Sequence, residues 1–336
     1  MDALLREFPI TAFPGVRIGQ AEDVEAATGV TVILAPEGMA ASIDVRGGGP
    51  ASRDSRILDP LAAAEVVHAV VLGGGSAFGL DAAGGVMRYL EAHGIGLEVG
   101  PVRVPLVCQS DIFDLMVGDP FTRPDGAMGY EACVAAESGN YRDGNHGAGC
   151  GATVGKIAGP EFCMKSGIGS YAVQLGELKM GAIVALNAIG DVFDPATGKM
   201  VAGVLSEDKR SFRSTSDLMY AGYAAANPGM AANTTIGAVI TNAKLTKAQL
   251  AKMAGMAHDG YARAIRPVHT SMDGDSIYGL SVGQVPAELD VVGALAADVM
   301  VQAILRAVRS AKAAYGLPSA ASLGGCRAKG EARVTE

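Results

Sequence analysis

The chain has 336 residues, 49% of them apolar, with 46 Gly, no Trp and a formal net charge of −8. That length and apolar share exclude a disordered chain and allow a large core, as one big domain or two ordinary ones. The acidic balance, with a pI near 5.2, argues against a phosphate-backbone partner, so no nucleic acid is expected.

In chain order, the first residues (MDALLREFPITAFPG) lack a basic stretch followed by an apolar run, so no signal peptide is expected. Gly29 to Ala35 reads as a strand and Ala41 to Arg46 as a second, ending in Gly47–Gly49. Val66 to Leu72 is a β-branched run of buried-strand type, followed by Gly73-Gly74-Gly75-Ser76 and a helical pattern from Phe78 to His93. Asp111 to Asp125 carries turn signals, and Gly126 to Ser138 has a helical pattern. Gly139 to Gly155 is a long glycine-rich loop, and Tyr171 to Val192 holds two strands, the second at Gly181 to Leu186.

Ser206 to Asn233 begins polar and charged and ends in NPGMAAN, which reads as a mobile surface segment closed by turn residues. Thr235 to Thr241 is a core strand. Thr246 with Gln249 forms a capping box that opens a helix to about Ala264. Leu289 to Tyr315 predicts a long helix ended by Gly316 and Pro318, and residues from about 318 to 336 read as a flexible tail. Gly, His or charge interrupts each apolar run, so no membrane span is expected. Strands and helices alternate in paired runs, which favours an α/β layered sandwich over a simple doubly wound sheet. Five widely spaced Cys without a C-x-x-C pair fit reduced thiols in a cytoplasmic protein, with no metal and no cofactor expected.

Two glycine loops invite a nucleotide reading and fail it. A dinucleotide fingerprint starting at Gly73 needs a third glycine where Phe78 stands. A P-loop ending in Gly155-Lys156 needs Gly at Cys150 and Ser or Thr at Ile157. Asp273-Gly274-Asp275 lacks the further oxygen ligands of a calcium loop, and with His269 makes no metal signature; a tight acidic turn is its plain reading.

The junction Asn233-Thr234 carries chemistry. It follows a loop, precedes a strand that would hold a new terminus rigidly, and its second residue is Thr. A Thr hydroxyl needs a base. An N-terminal Thr supplies its own α-amine, with a reference pKa of about 7.7–8.0, close to a useful operating range. Residue 234 gains that amine only if the chain is first cut there, which its own hydroxyl can do by attacking the Asn233 carbonyl to give an ester that water releases. Local propensity explains Asn at a loop end and Thr at a strand start equally well, and Thr235 competes for the role.

NTTIGAVITNA (233–243), followed by MAHDGYARAIRPVHTSMDGDS (256–276), resembles the L-aminopeptidase/D-esterase (DmpA) peptidase family. FPGVRIGQ, LGGGSAFGLDAAGGV, GATVGK, VALNAIGDV and DPATGK extend the resemblance over most of the chain, leaving out only the C-terminal tail. It implies a layered αββα sandwich of the DmpA/ornithine-acetyltransferase N-terminal-nucleophile type. It also implies self-cleavage into an α chain (1–233) and a β chain (234–336) that together form one domain. The aminopeptidase branch typically cuts at Gly-Ser. The Asn233-Thr234 junction is similar to that of the 6-aminohexanoate-oligomer (nylon oligomer) hydrolase branch.

The resemblance implies Thr234 as nucleophile, with Lys156, Asn187, Asp273 and Asp275 as partners, and Lys165 competing with Lys156. An Asn amide N–H can donate to an oxyanion, worth about 3 kcal/mol. A lysine can bias the protonation of the hydroxyl or the amine, and the two Asp can orient an ammonium. Cys150 stands where relatives often carry Thr. Cys108-Gln109-Ser110 departs from small apolar residues, so a more polar pocket is expected if that segment lines it. Nothing marks either Cys as a lowered-pKa thiol.

The resulting expectation is an amide-bond hydrolase, aminopeptidase or amidohydrolase, working through an acyl-enzyme on a small peptide or amide. No membrane partner is expected, and a homo-oligomer of αβ units, the tetramer favoured, is. An acyltransferase of ornithine-acetyltransferase type and a non-catalytic binding protein of the same fold are the alternatives. The side-chain preference of the substrate is not legible.

Overall fold

The computed structural model describes residues 4–225, 233–323 and 327–328. Eight strands build the frame: β1 (Arg17–Asp23), β2 (Thr28–Val45), β3 (Val67–Gly73), β4 (Val107–Asp111), β5 (Ile168–Leu175), β6 (Leu178–Asn187), β7 (Thr234–Ala243) and β8 (Ser276–Val285). The helices are α1 (Ala82–Ala92), α2 (Gly126–Glu137), α3 (Thr215–Ala224), α4 (Lys247–Ala264) and α5 (Leu289–Ser310). Strand order runs β5-β6-β7-β8-β2-β3-β4, with β1 on β2 and short strands Arg6–Glu7 and Ala51–Arg53 at the two ends. The β7/β8 and β3/β4 pairs are parallel and the other neighbours antiparallel.

Period-2 alternation divides this surface into two packed layers. Ile183, Ile236, Ile240 and Leu280 of one layer meet Ile18, Ile33, Val70 and Leu72 of the other in a shared interior. The opposite face of the first layer, with Val184, Leu186 and Val239, packs on α4 and α5. The opposite face of the second, with Val30, Val32 and Val71, packs on α1 and α2. The result is the αββα sandwich expected from the sequence.

The two strands read at Gly29–Ala35 and Ala41–Arg46 are one. Residues Thr28–Leu34 of β2 pair with β1 and residues Ala40–Val45 with β8. A register shift between Leu34 and Met39, with Gly38 at φ +83°, turns the strand from one layer into the other. The glycine content also has a packing cause: a Cβ on Gly169 of β5 would lie 2.2 Å from the Ala303 carbonyl of α5. Such backbone contacts let α5 lie close on the sheet, and they suit a core of small side chains.

The capping box at Thr246 is present, with Thr246 and Gln249 bonding reciprocally, and α4 runs to Ala264 as its pattern predicts. Three expectations need correction. Residues 206–225 are not a loose segment: Asp191 accepts the Thr215 N–H at 2.7 Å and its hydroxyl at 2.8 Å, which fixes the start of α3. The rest of that segment, residues 226–232, lies outside the described residues. α5 stops at Ser310, not Tyr315, because the Asn145 amide captures both the N–H and the C=O of Lys312. Residues 318–323 are packed: Pro318 accepts the Lys165 N–H at 2.8 Å, and Ala320 and Leu323 rest on the core.

α5 itself also departs from expectation. Its 22 residues are long and apolar enough to cross a membrane, the most apolar stretch having a mean hydropathy of 1.8. Most of that length is buried against α4, β5 and β6, which is why this core helix carries so few charges.

Candidate active site

The site forms where the ends of β6 and β7 meet the turn before β8. Asn187, last residue of β6, is the register partner of Thr234, first residue of β7. The turn 272–274 runs alongside the junction: Asn233 N–H donates to Met272 O at 3.4 Å, and Gly274 N–H donates to Asn233 O at 3.1 Å. Thr234 is 4% exposed, and its Oγ1 donates to the carbonyl oxygen of Asn233, the bond ahead of it. A Cβ on Gly274 would stand 2.8 Å from that hydroxyl oxygen. The turn therefore needs glycine there to lie so close.

Strand alternation puts the Thr234 and Thr235 side chains on opposite faces. The hydroxyl in contact with the Asn233 carbonyl is that of Thr234.

Asn187 is fully buried, and its amide orientation is set from both ends. Oδ1 accepts the Thr153 N–H at 3.0 Å and Lys156 Nζ at 2.6 Å, while Nδ2 donates to Phe113 O at 2.8 Å. An amide nitrogen has two hydrogens, so one remains after Phe113 is satisfied. Lys156 also donates to the Asn187 main-chain oxygen at 2.9 Å. Burial pulls the Lys156 amine down to about 7, with Cys163, Asp273, Asp114 and Asp275 opposing that shift. Its rival Lys165 is locked elsewhere, on the carbonyls of Gly149, Ala152 and Ser166.

Asp273 and Asp275 are both about 1% exposed. Asp273 Oδ2 accepts the Thr270 N–H at 2.9 Å and its hydroxyl at 2.6 Å, and Oδ1 has no hydrogen-bond partner among the described residues. Burial and the Asp275 charge push the Asp273 carboxyl up. Asp275 Oδ1 accepts the Thr235 N–H at 2.8 Å. The structure thus brings Thr234, Asn187, Lys156, Asp273 and Asp275 into one cluster. Among the described residues no group of three or more His, Cys, Asp or Glu is arranged to hold a metal.

Two cavities flank the cluster. One of about 720 Å³ is lined by Phe113, Val117, Thr153, Lys156 and Ile157, with Glu161 and Lys209 as its other charged residues. A second of about 570 Å³ lies between α3, through Leu218, Met219 and Gly222, and Thr270–Met272. Segment Cys108–Ser110 lines neither; it is core, with the Cys108 thiol on Asp54 O and Ser110 on the Tyr278 hydroxyl. The more polar pocket expected from it is not built from these residues. Burial pushes the Cys108 thiol up to about 12 and the Cys150 thiol up as well, away from the lowered pKa that marks a reactive thiolate.

Sequence reasoning did not find the Gly274 and Thr153 N–H groups, which are backbone donors without a side-chain signature, or the buried Asp111. Asp111 Oδ1 accepts Gln109 Nε2 at 2.7 Å, while Oδ2 has no partner among the described residues. Burial pushes its carboxyl well above the usual range. A carboxyl protonated in the fold and ionised in the unfolded chain favours folding at low pH and loses that contribution as pH rises. Asp111→Asn is therefore expected to raise Tm by a few degrees at pH 7, with the gain shrinking toward pH 4. Calorimetry at both pH values checks it, and an unchanged pH dependence would refute it.

The fold is an αββα sandwich of the α/β class, and the family and relatives it matches make the chain an amide-bond hydrolase. The chain belongs to peptidase family S58, whose family model matches residues 9–320. It is 38% identical to an uncharacterized aminopeptidase of Mycobacterium leprae, over 92% of each chain. It is 30% identical to a 6-aminohexanoate-oligomer endohydrolase of a Kocuria species, over 88% of this chain and 85% of that one. Among solved structures it is similar to the L-aminopeptidase D-Ala-esterase/amidase of Ochrobactrum anthropi, described as a variant of the Ntn hydrolase fold (TM-score 0.66, 19% identity, 90% of this chain and 86% of that one). It is also similar to a β-aminopeptidase of a Burkholderia species (TM-score 0.65, 20% identity, 92% and 90%).

Proposed function

We propose that this family member cuts its own chain between Asn233 and Thr234, and that the freed Thr234 is the nucleophile of the amide hydrolase. The observation that carries the reading is the double hold on the Asn233 carbonyl oxygen, by the Thr234 hydroxyl and by the Gly274 N–H at 3.1 Å. A hydroxyl touching that oxygen is within reach of the carbonyl carbon, and a fixed backbone N–H on the oxygen stabilises the charge that grows there. Attack forms the Oγ1–C bond and breaks the C–N bond, and the hydroxyl proton ends on the departing Thr234 nitrogen. The Thr234 amine is then free, and water hydrolyses the ester to release the Asn233 carboxyl and restore the Thr234 hydroxyl.

In the cut enzyme the Thr234 amine serves as its own base, and the buried Asp273 Oδ1 offers an acceptor for the ammonium form. The remaining Asn187 N–H is the donor for the substrate oxyanion. The 720 Å³ cavity, largely apolar apart from its three charged side chains, suits the acyl portion of a small peptide or amide. Purified protein is expected to run as two fragments, the smaller beginning at Thr234. N-terminal sequencing and intact mass measurement check this, and an active protein with an uncut chain would overturn it.

A further inference from the structure

His269 takes no part in the reaction as described, yet it is held with unusual care. It occupies the left-handed region at φ +58°, which a non-glycine residue adopts only when its surroundings require it. Its backbone N–H and its ring Nδ1 both lie on Asp275 Oδ2, at 3.1 and 2.8 Å. The ring is clamped on two sides, stacked on Tyr261 with centroids 5.9 Å apart and met edge-on by His258 at 4.7 Å. His258 is buried with Nε2 on Asp44 O at 3.1 Å, and burial pulls it down to about 4, so it stays neutral beside His269.

Asp275 in turn accepts the Thr235 N–H on its other oxygen at 2.8 Å, and the Tyr261 hydroxyl lies 3.5 Å from Thr235 O. Both backbone groups of the residue next to Thr234 are thus approached by one connected set of side chains. The Thr235 and His269 N–H groups hold one oxygen each, and the ring N–H adds a second donor on Oδ2 from another direction, which restrains the tilt that two backbone donors leave free.

We infer that His269 is a positioning residue: its ring N–H on Asp275 Oδ2 locks the carboxylate whose Oδ1 holds the Thr235 amide, and this sets where the Thr234 hydroxyl points. The inference rests on Thr234 being the self-cleaving nucleophile. His269 lines neither of the two cavities beside the site, and its contact with the site runs through Asp275.

Two substitutions separate the ring donor from the backbone conformation. His269→Gly keeps the left-handed backbone and the N–H but deletes the ring; His269→Asn also suits that conformation and restores a side-chain N–H. The readouts are the rate of appearance of the Thr234-terminated fragment, kcat and KM for an amino-acid amide, and Tm. His269→Gly is expected to slow self-cleavage and lower kcat by at least about tenfold with KM within about twofold, and His269→Asn to recover most of both. Glycine within about twofold of wild type, or asparagine no better than glycine at equal Tm, would overturn the inference. If the glycine variant does not fold, asparagine against wild type decides: near-normal rates support the inference and a tenfold loss in folded protein overturns it. A wild-type chain that stays uncut fails the Thr234 reading instead, a result distinct from any of these.

Discussion

Thr234→Ala is expected to leave one uncut chain of 336 residues and to lower amide hydrolysis roughly a millionfold, the scale on which loss of the nucleophile acts in hydrolases. The size of the effect follows from the double duty of one oxygen. Without Oγ1 nothing attacks the Asn233 carbonyl, so no terminus forms, and without a terminus there is no free amine at residue 234. The fold should survive. Thr234 bonds through Oγ1 to Asn233 O, and that oxygen keeps the Gly274 N–H when the hydroxyl is gone. Alanine fits the space, and no buried donor is stranded. Circular dichroism and mass spectrometry of the variant check both halves. Thr235→Val is the companion, because its side chain faces away from the junction: it should still be cut. Cleavage of the alanine variant would move the nucleophile elsewhere.

Lys156→Met is expected to lower kcat by about 10²–10⁴, the usual contribution of a positioned acid–base group. Methionine keeps much of the apolar stem but loses both bonds to Asn187, at 2.6 and 2.9 Å. The pH profile makes the test specific. Burial brings the Lys156 amine to about 7, so the neutral amine becomes the majority form above that pH and the minority form below it. Wild-type rate should therefore rise steeply below about pH 7, where both Lys156 and the Thr234 amine must lose a proton, and more gently above it until the Thr234 amine is neutral. In the variant the steep limb should vanish, leaving a rise set by the Thr234 amine near its reference of about 7.7–8.0. A profile of kcat/KM from about pH 6 to about pH 9 decides it. A variant that keeps the wild-type limb would remove Lys156 from the chemistry.

Much of the frame was legible because its signals are local. The β-branched run at Val66–Leu72, the alternation in Thr235–Thr241 and the capping box at Thr246 each act within a few residues. α3 was not legible because its first turn is fixed by Asp191, some twenty residues away, rather than by an apolar stripe of its own. The end of α5 was missed for the same reason, since Asn145 is the residue that stops it. In the site, Thr234 and the two Asp carry side-chain chemistry that a motif can show. The Gly274 and Thr153 N–H groups and the His269–Asp275 contact exist only once distant segments meet. The choice between Lys156 and Lys165 likewise needed the partners of each amine.

The place of β7 and β8 in the sheet has a consequence for the life of the molecule. Both strands follow residue 233, yet they lie between β6 and β2, which precede it. A cut at residue 234 therefore yields two polypeptides that are woven through one another, each completing the other's hydrogen-bond ladder. Before the cut, folding is unimolecular; afterwards, regaining the structure demands an encounter of two chains, and stability depends on their concentration. Processing at this bond would thus act as a ratchet: the scission that would create the nucleophile would also make unfolding, in dilute solution, a one-way event.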